Sequence, residues 1–308
     1  MDGVSFTLAA GESLAVVGES GSGKTQLARA LLGLPPGGAR VSGHLASGGR
    51  DLLSLSEDEW RGVRGGQIGL VFQEPASAFD PVRTIGAQIV EAIRLHRPVS
   101  RSEARAIAIS ALRDAAFPDP EGALEEYAHR LSGGLRQRAF LALTLAPGPK
   151  VLLADEPTVS LDATVAAQVL ELLDQTRAAR GLGVLLITHD LGIVAEHCDR
   201  VLVLYAGRVV EEAATADLFR APCHPYTRGL LASVPRIRSE GRREGERYEA
   251  IPGALADLSA RPTGACAFAP RCPERFEPCD RSEPELYRTA SGRARCFLYQ
   301  GAPAQVRP

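Results

Sequence analysis

The stretch GESGSGKT, residues 18–25, decides the fold class because it fits the pattern G-x-x-x-x-G-K-[ST] in the context which that pattern requires. The apolar run SLAVV precedes it, and the helix-forming run QLARALLG follows it. Glycines let backbone N–H groups wrap a phosphate, and the N-terminus of the following helix adds a favourable dipole. We therefore predict a phosphate-binding loop between a buried strand and a helix.

Two side chains of this loop suit defined tasks. Lys24 is placed to contact terminal phosphates, and the Thr25 hydroxyl is placed to ligate Mg²⁺. A glycine-rich turn that binds nothing is disfavoured, because both the spacing and the context are met. By itself the loop would also suit a kinase, a GTPase or a motor protein. The predicted nucleotide-binding residues here are Gly18, Glu19, Ser20, Gly21, Ser22, Gly23, Lys24, Thr25 and Gln26.

A second motif, VLLADEP at residues 151–157, is an apolar strand that ends in two carboxylates. Neighbouring side chains of a strand point apart, so the two carboxylates need not share a task. Asp155 suits Mg²⁺ coordination, and Glu156 suits the general base that polarises an attacking water. A solvated acidic strand end is the alternative, and the phosphate loop upstream makes the functional interpretation the better one.

A third motif narrows the class. LSGGLRQR, residues 131–138, resembles the signature motif of ABC ATPases, and it lies between the two motifs above. Gln73 resembles the Q-loop residue that senses Mg²⁺ and the attacking water, and His189 resembles the switch histidine that contacts the γ-phosphate. The segment Ser160-Leu161-Asp162 resembles the D-loop that crosses the dimer interface. The resemblance implies that Ser132, Gly133, Gly134 and Asp162 act on a nucleotide held by an opposing ATPase chain.

Alternating apolar runs and helical segments up to residue 233 predict an α/β fold. The resemblance implies that this fold is a P-loop NTPase core of the ABC ATPase type. Strand-poor residues 82–145 are assigned to a helical subdomain. The polar run RIRSEGRREGERY indicates a linker, placed at 234–250, and a small Cys-rich C-terminal extension follows at 251–308. Strands are predicted at Ser13–Val17, Ile68–Phe72, Val151–Ala154, Val184–Thr188 and Val201–Tyr205. Helices are predicted at Lys24–Leu32, Arg101–Ala116, Gly134–Leu145 and Thr164–Arg180.

Further segments are similar to the peptide and nickel importer group of ABC ATPases: FQEPASAFDPVRTIGAQIVEAIRLH after the Q-loop, HPYT with GLLASVP, and IPGALADL. This resemblance implies two integral membrane permease subunits and a second ATPase chain, the same or paralogous. It also implies an extracytoplasmic solute-binding protein as an indirect partner. The chain would then work at the cytoplasmic face of the membrane. HPYT itself is assigned no chemistry.

Four of the six cysteines, Cys266, Cys272, Cys279 and Cys296, fall in the last fifth of the chain. Their spacings C-x₅-C, C-x₆-C and C-x₁₆-C are wider than the C-x₂₋₄-C pairs that structural Zn²⁺ favours. Four thiolates can also hold an iron–sulfur cluster. Members of the importer group with a similar tail carry a [4Fe–4S] cluster, so the resemblance favours it over Zn²⁺. Unliganded buried thiols are the remaining alternative.

The bulk properties limit the possible partners. A net charge of −2 and a pI near 6.3 give no reason to expect binding to nucleic acid. The sequence has no apolar run of membrane-spanning length and no secretory signal pattern, so other chains would have to supply a channel. Two alternatives to transport are a soluble ABC ATPase of a complex such as one for phosphonate degradation, and a non-hydrolysing iron–sulfur structural or sensor subunit.

One departure from the family pattern lies ahead of the phosphate loop, which only 17 residues precede. ABC ATPases of this group carry a longer start, with a first strand and an aromatic residue that stacks on adenine. Phe6 lies in the alternating run VSFTL and is predicted to be a core residue of a strand. We expect the missing aromatic to weaken ATP binding, and an in-frame upstream start encoding it is one hypothesis for the departure.

Overall fold

The structure is a computed structural model, and it describes residues 1–72, 74–159, 161–234, 251–253 and 264–301. The chain divides into two compact units. Unit 1 comprises Met1–Thr7, Ser13–Lys24 and Ile187–Pro308, and unit 2 comprises Leu8–Glu12 and Thr25–Leu186. Both units contain strands and helices, so the predicted α/β class is confirmed.

The secondary structure is numbered in chain order. The strands are β1 (Ser13–Val17), β2 (Ala46–Ser47), β3 (Arg50–Asp51), β4 (Ile68–Val71), β5 (Val151–Asp155), β6 (Gly183–Ile187), β7 (Arg200–Tyr205), β8 (Arg208–Ala214), β9 (Tyr287–Arg288) and β10 (Gly292–Ala294). The helices are α1 (Lys24–Leu31), α2 (Glu57–Val63), α3 (Ile85–His96), α4 (Arg101–Asp114), α5 (Pro120–Ala123), α6 (Gly133–Leu145), α7 (Ala163–Arg180), α8 (Leu191–His197), α9 (Thr215–Arg220), α10 (Pro225–Ala232) and α11 (Pro278–Arg281).

Unit 1 is built on a mixed sheet. β1 is buried along its whole length, as its apolar sequence predicts, and it pairs in parallel with β7. β8 pairs antiparallel with β7 on one side and with β10 on the other, and β9 pairs with β10. The strands of the C-terminal region therefore extend the same sheet that carries β1 and the start of the phosphate loop.

Unit 2 combines parallel strands with a helical segment. β4 pairs in parallel with β5, with Ile68 opposite Val151, and β6 is the other neighbour of β5. Between residues 82 and 145 the described chain forms helices and no strand, the character expected of the segment that was assigned to a helical subdomain. Side chains cap these helices: Thr84 caps α3, and Ser100 forms a capping box with Glu103 on α4.

The predicted strand and helix positions are confirmed to within two residues at each end. The predicted strand VSFTL is wrong: residues 4–8 form no strand, and Phe6 is only half-buried. The Thr7 carbonyl there accepts a hydrogen bond from the side chain of Arg200, the first residue of β7. Apart from Val234, the predicted linker lies outside the described residues. None of the helices in the described part of the chain has the length and apolarity needed to cross a membrane.

Candidate functional site

The phosphate loop leaves the end of β1 at Gly18, in unit 1. A Cβ atom at Gly18 would lie 2.2 Å from the Leu204 carbonyl oxygen, and the φ of Gly18 is +152°, so only glycine fits there. Gly21 and Gly23 also have positive φ, at +80° and +107°. Alternation of left- and right-handed residues turns successive N–H groups toward one concave side, which is the geometry of an anion-binding nest. The loop therefore fits a phosphate group.

Lys24 lies folded back against this loop. Its Nζ donates hydrogen bonds to the Gly18 carbonyl at 2.8 Å and to the Glu19 carbonyl at 3.1 Å. The residue is 8% exposed, so its ammonium is largely withdrawn from water. Buried charges are retained where their hydrogen bonds are satisfied, and the two carbonyls meet that need here. The cation is thus held at the loop that would receive the phosphates.

His189 lies in unit 1, two residues after the end of β6. The Thr188 N–H donates to the Val16 carbonyl at 3.2 Å, so His189 comes next to the end of β1, where the phosphate loop begins. The next residue, Asp190, caps α8 by accepting from the N–H groups of Gly192 and Ile193. His189 is exposed, so its side chain is accessible to a ligand.

Residues from the C-terminal region also contact the phosphate loop, and the sequence did not predict this. The Arg271 guanidinium forms two hydrogen bonds with the Glu19 carboxylate, and the Glu19 N–H donates to the Tyr226 hydroxyl at 2.8 Å. Burial raises the pKa of Tyr226, so the phenol stays protonated. The ion pair with Glu19 raises the pKa of Arg271. The available sequence signal was the HPYT segment, which contains Tyr226 but had been assigned no chemistry.

In unit 2, Asp155 ends β5 and Glu156 follows in an uncommon backbone conformation. The φ of Glu156 is +49°, in the left-handed region that non-glycine residues avoid. Such strain costs about 1–3 kcal/mol and is concentrated at functional sites. The buried Gln137 side chain of α6 donates to the Pro157 carbonyl at 2.8 Å, which ties the signature helix to the turn after Glu156. Two predicted motifs are therefore joined by a direct contact.

The signature residues lie at the start of α6, also in unit 2. Ser132 is the N-cap residue, and its hydroxyl accepts from the Leu135 N–H at 3.4 Å. A Cβ atom at Gly134 would lie 2.8 Å from Val165 Cγ1, whereas one at Gly133 would meet nothing within 4 Å. Asp162 caps α7 by accepting from two backbone N–H groups. One cleft of about 480 Å³ is lined by Pro118, Ser132, Gly133, Gly134, Leu135, Arg138, Leu161, Asp162 and Val165.

The remaining predicted nucleotide residues are placed as follows. Thr25 and Gln26 are exposed in the first turn of α1, in unit 2. Carboxylate and hydroxyl oxygens such as those of Asp155 and Thr25 are the donors that Mg²⁺ prefers. Gln73 and Ser160 lie outside the described residues.

The four C-terminal cysteines lie in unit 1. Burial raises the pKa of Cys266, Cys272 and Cys296, the last to about 11, and each of these thiols is raised further by neighbouring cysteines of the four. The Cys266 N–H donates to the Cys279 carbonyl at 2.9 Å. The thiols thus share one neighbourhood and supply a donor type that suits iron or zinc. Within the described ranges, however, no three His, Cys, Asp or Glu side chains are arranged to hold a metal ion.

Comparisons with known proteins identify the family of this chain. The family model described as "ABC transporter" matches residues 1–159, and the model described as "Oligopeptide/dipeptide transporter, C-terminal region" matches residues 210–279. The chain is 44% identical over 308 residues to the oligopeptide transport ATP-binding protein AppD of Bacillus subtilis, covering 99% of this chain and 92% of that protein. It is 43% identical over 295 residues to the oligopeptide transport ATP-binding protein OppD of Salmonella typhimurium, covering 96% of this chain and 86% of that protein.

Among solved structures, the chain is similar to the dimeric ATP-binding cassette MJ0796 in a post-hydrolysis state bound to ADP and Pi. That similarity has a TM-score of 0.61 at 27% identity, and it covers 68% of this chain and 88% of the cassette. Sequence motifs, loop geometry and both family models point the same way. The chain therefore belongs to the ABC transporter family, in the group that shares the oligopeptide/dipeptide transporter C-terminal region.

Proposed function

We propose that this chain binds and hydrolyses ATP with Mg²⁺ to drive the import of peptides or a similar small solute. The phosphate loop with its buried Lys24 is the observation that carries the ATP-binding part. ABC ATP-binding proteins are ATPases that energise transport. The names of its relatives, oligopeptide and dipeptide transport ATP-binding proteins, favour a role in transport over a soluble non-transport ATPase or a non-hydrolysing sensor subunit.

In this proposal each motif has a chemical role. Residues 18–23 and Lys24 bind the phosphates, with Gln26 beside them, and Thr25 and Asp155 hold Mg²⁺ together with Gln73. Mg²⁺, when bound, neutralises charge on the phosphates. Glu156 accepts the proton of the attacking water, and His189 donates a hydrogen bond to the terminal phosphate. The strained φ of Glu156 supports this role because it fixes the carboxylate direction in advance.

The signature cleft supports a requirement for a second chain. Ser132 and Gly133 are exposed, and the cleft that they share with Asp162 is open in a single chain. An N-terminal helix turn with a serine hydroxyl suits an anion. We propose that this cleft receives the γ-phosphate of a nucleotide bound by an opposing ATPase chain.

The transport assembly completes the proposal. Two integral membrane permease subunits would form the channel, and this chain would dock on them at the cytoplasmic face of the membrane. An extracytoplasmic solute-binding protein would deliver the substrate. Residues 1–233 form the ATPase domain in this scheme, and residues 251–308 form the Cys-rich extension behind the linker at 234–250.

We further propose that Cys266, Cys272, Cys279 and Cys296 hold a [4Fe–4S] cluster, with Zn²⁺ as the alternative. The mutual effect of the thiols on their pKa values supports a shared site. Purification without oxygen followed by iron, sulfide and zinc analysis tests this. Iron and sulfide in equal amounts would support the cluster, and one zinc per chain would support the alternative. A chain that contains neither iron and sulfide nor zinc would contradict both proposals.

ATP-dependent dimerisation of the Glu156→Gln variant tests the ATPase proposal. Removing the base blocks hydrolysis while keeping the shape of the side chain, so ATP and Mg²⁺ should trap two chains around the nucleotide. Size-exclusion chromatography should show a shift from monomer to dimer with ATP and none with ADP.

Glu171→Gln is the matched control, because Glu171 is an exposed glutamate on α7 away from the motifs. That variant should turn ATP over and stay monomeric. Dimerisation of Glu156→Gln without nucleotide would contradict the proposed trapping. A monomer that does not bind ATP at all would contradict the whole proposal.

A further inference from the structure

The Arg271–Glu19 pair joins the C-terminal region to the phosphate loop across 252 residues of sequence. Arg271 Nη1 donates to Glu19 Oε2 at 2.7 Å, and Nη2 donates to Oε1 at 3.0 Å. The Arg271 side chain is 5% exposed and that of Glu19 is 28% exposed. Two parallel bonds between a guanidinium and a carboxylate are directional as well as strong, so this pair fixes the orientation of Glu19.

The backbone of Glu19 is held at both of its polar groups. Its N–H donates to the hydroxyl of Tyr226, and its carbonyl accepts from Lys24 Nζ at 3.1 Å. The Lys24 ammonium also donates to the Gly18 carbonyl, which belongs to the same peptide group as the Glu19 N–H. The position of Lys24 therefore depends on the two peptide groups that flank the Cα atom of Glu19.

Arg271 is itself firmly held. Its Nε donates to the Pro252 carbonyl at 2.8 Å, and its guanidinium carbon lies 5.8 Å from the centre of the Tyr205 ring. Tyr226 packs against Tyr205 and Phe268 with ring centres 4.7 and 5.4 Å apart. The two side chains that bind Glu19, Arg271 and Tyr226, thus both pack against the buried ring of Tyr205.

We infer that Arg271 is a positioning residue for ATP binding: it fixes Glu19, and through the Gly18–Glu19 peptide it sets the place of Lys24, with Tyr226 as a second support. This inference rests on the proposed ATPase function. Arg271 would not contact the nucleotide. A misplacement of about 1 Å can cost a catalytic site about a hundred-fold in rate, and by analogy a modest shift of the lysine suffices for a measurable effect on ATP binding.

Calorimetric titration of the full-length chain with ATP, in the presence of Mg²⁺, tests this. We expect Arg271→Ala to raise the Kd for ATP about ten-fold, by analogy with the roughly hundred-fold rate loss that a full 1 Å misplacement can cause. The control is Arg275→Ala, because Arg275 pairs with Asp280 in the same region and is half exposed. That variant should keep the wild-type Kd. An unchanged Kd for Arg271→Ala would overturn the inference.

A double-mutant cycle separates positioning from a general loss of structure. If Arg271 acts through Glu19, then Glu19→Ala with Arg271→Ala should weaken ATP binding no more than either change alone. A hundred-fold loss in the double variant, the product of two independent effects, would overturn the inference.

Should Arg271→Ala fail to fold, Arg271→Lys decides: it keeps the charge without the paired geometry. A Kd about three-fold higher than wild type supports positioning, and an unchanged Kd contradicts it. A wild-type chain that binds no ATP contradicts the proposed function instead.

Discussion

The phosphate loop and the signature cleft are held in place in opposite ways. At the phosphate loop, Lys24 is 8% exposed, and Glu19 is bound by side chains from positions 226 and 271. At the signature cleft, Ser132 and Gly133 are exposed, and the capping bond of Ser132 reaches only three residues ahead at 3.4 Å. The phosphate loop is held by side chains from distant parts of the chain, whereas the exposed residues Ser132 and Gly133 are held by the first turn of α6, which Gln137 anchors further along the helix.

This difference indicates that the phosphate loop is fully formed within one chain, whereas the signature cleft, in the proposed assembly, is completed only when a second ATPase chain binds. A buried charge with satisfied bonds needs its surroundings to stay fixed, so changes at the phosphate loop should alter folding stability and nucleotide affinity together. An exposed turn with open space beside it places few demands on the fold. A change at Gly133, where an added Cβ would meet nothing within 4 Å, should therefore leave stability intact and affect only the association of two chains.

Gly18→Ala should give the largest effect at the phosphate loop. The added methyl group would meet the Leu204 carbonyl oxygen at 2.2 Å, at a φ of +152°. The clash and the backbone strain together should reduce the free energy of unfolding by about 3 kcal/mol or more, and ATP binding should be lost. Urea denaturation and nucleotide titration measure the two effects.

Gly148→Ala is the matched control for that substitution. Its φ is also positive, at +88°, but an added Cβ there would meet nothing within 4 Å. Only backbone strain remains, so a loss of about 1 kcal/mol is expected. Equal losses for the two variants would show that the close approach to Leu204 contributes nothing.

Gln137→Leu should weaken the contact between the signature helix and the turn after Glu156. The substitution leaves the Pro157 carbonyl without the donor that now lies 2.8 Å away in a buried setting. An unsatisfied buried group costs about 1–3 kcal/mol, which denaturant unfolding would detect. Gln175→Leu is the control: Gln175 is exposed on α7, so a change within about 0.5 kcal/mol is expected. A neutral Gln137→Leu would mean that this contact does not stabilise the unit.

Local pattern predicted most of the core elements. β1 and β5 are short apolar runs with turn residues at their ends, and their predicted and observed bounds differ by at most one residue. β8 was missed because Glu211 and Glu212 interrupt its apolar pattern, although both glutamates are buried. They lie next to arginines and backbone N–H groups that only the folded chain brings near, such as Arg293 for Glu212.

The site was predictable where its residues are close in sequence. The phosphate loop, Asp155–Glu156 and the signature motif each occupy fewer than ten consecutive residues, so their spacing carries the information. The Arg271–Glu19 pair spans 252 residues, and although Glu19 lies in the phosphate-loop motif, no sequence pattern marks Arg271 as its partner. Helix α2 was also not predicted, but here the sequence did carry a local signal. Its capping box at Ser56 and Glu59 is an S-x-x-E pattern, which is typical of a helix start.

His224→Asn should change how the free energy of unfolding depends on pH. His224 is 2% exposed, and burial, aided by Arg228, lowers its pKa to about 3. An unfolded histidine has a pKa of about 6.5, so the unfolded state binds the additional proton between these values. Stability contributed by the neutral ring is present above about pH 6.5, and it falls by about 1.4 kcal/mol per pH unit as the pH decreases toward 3.

The measurement is urea unfolding of wild type and variant at several values between pH 7.5 and 5. Asparagine can still accept the Tyr226 N–H bond that His224 Nδ1 now accepts at 3.0 Å. The stability difference between wild type and variant should therefore shrink on acidification. His44→Asn, at an exposed position, should leave the wild-type slope unchanged. Parallel curves for His224→Asn would contradict the burial of a neutral histidine.

Gly133→Ala should have the smallest effect on stability and the clearest effect on association. An added Cβ would meet nothing within 4 Å in the single chain, and residue 133 is the first residue of α6. Alanine in place of a helical glycine adds up to about 0.5–1 kcal/mol of stability. If the open space beside Gly133 receives a nucleotide from an opposing chain, the same methyl group should block that approach.

The test combines Gly133→Ala with Glu156→Gln and repeats the chromatography with ATP and Mg²⁺. Thermal unfolding should show a variant at least as stable as its parent, while the ATP-dependent dimer disappears. Gly134→Ala separates the two causes: its Cβ would lie 2.8 Å from Val165 Cγ1, so it should lose about 1–3 kcal/mol within the single chain. A dimer that forms normally with alanine at position 133 would mean that the nucleotide does not enter this cleft. The exposure of the signature cleft in a single chain, in contrast to the buried phosphate loop, would then need another explanation.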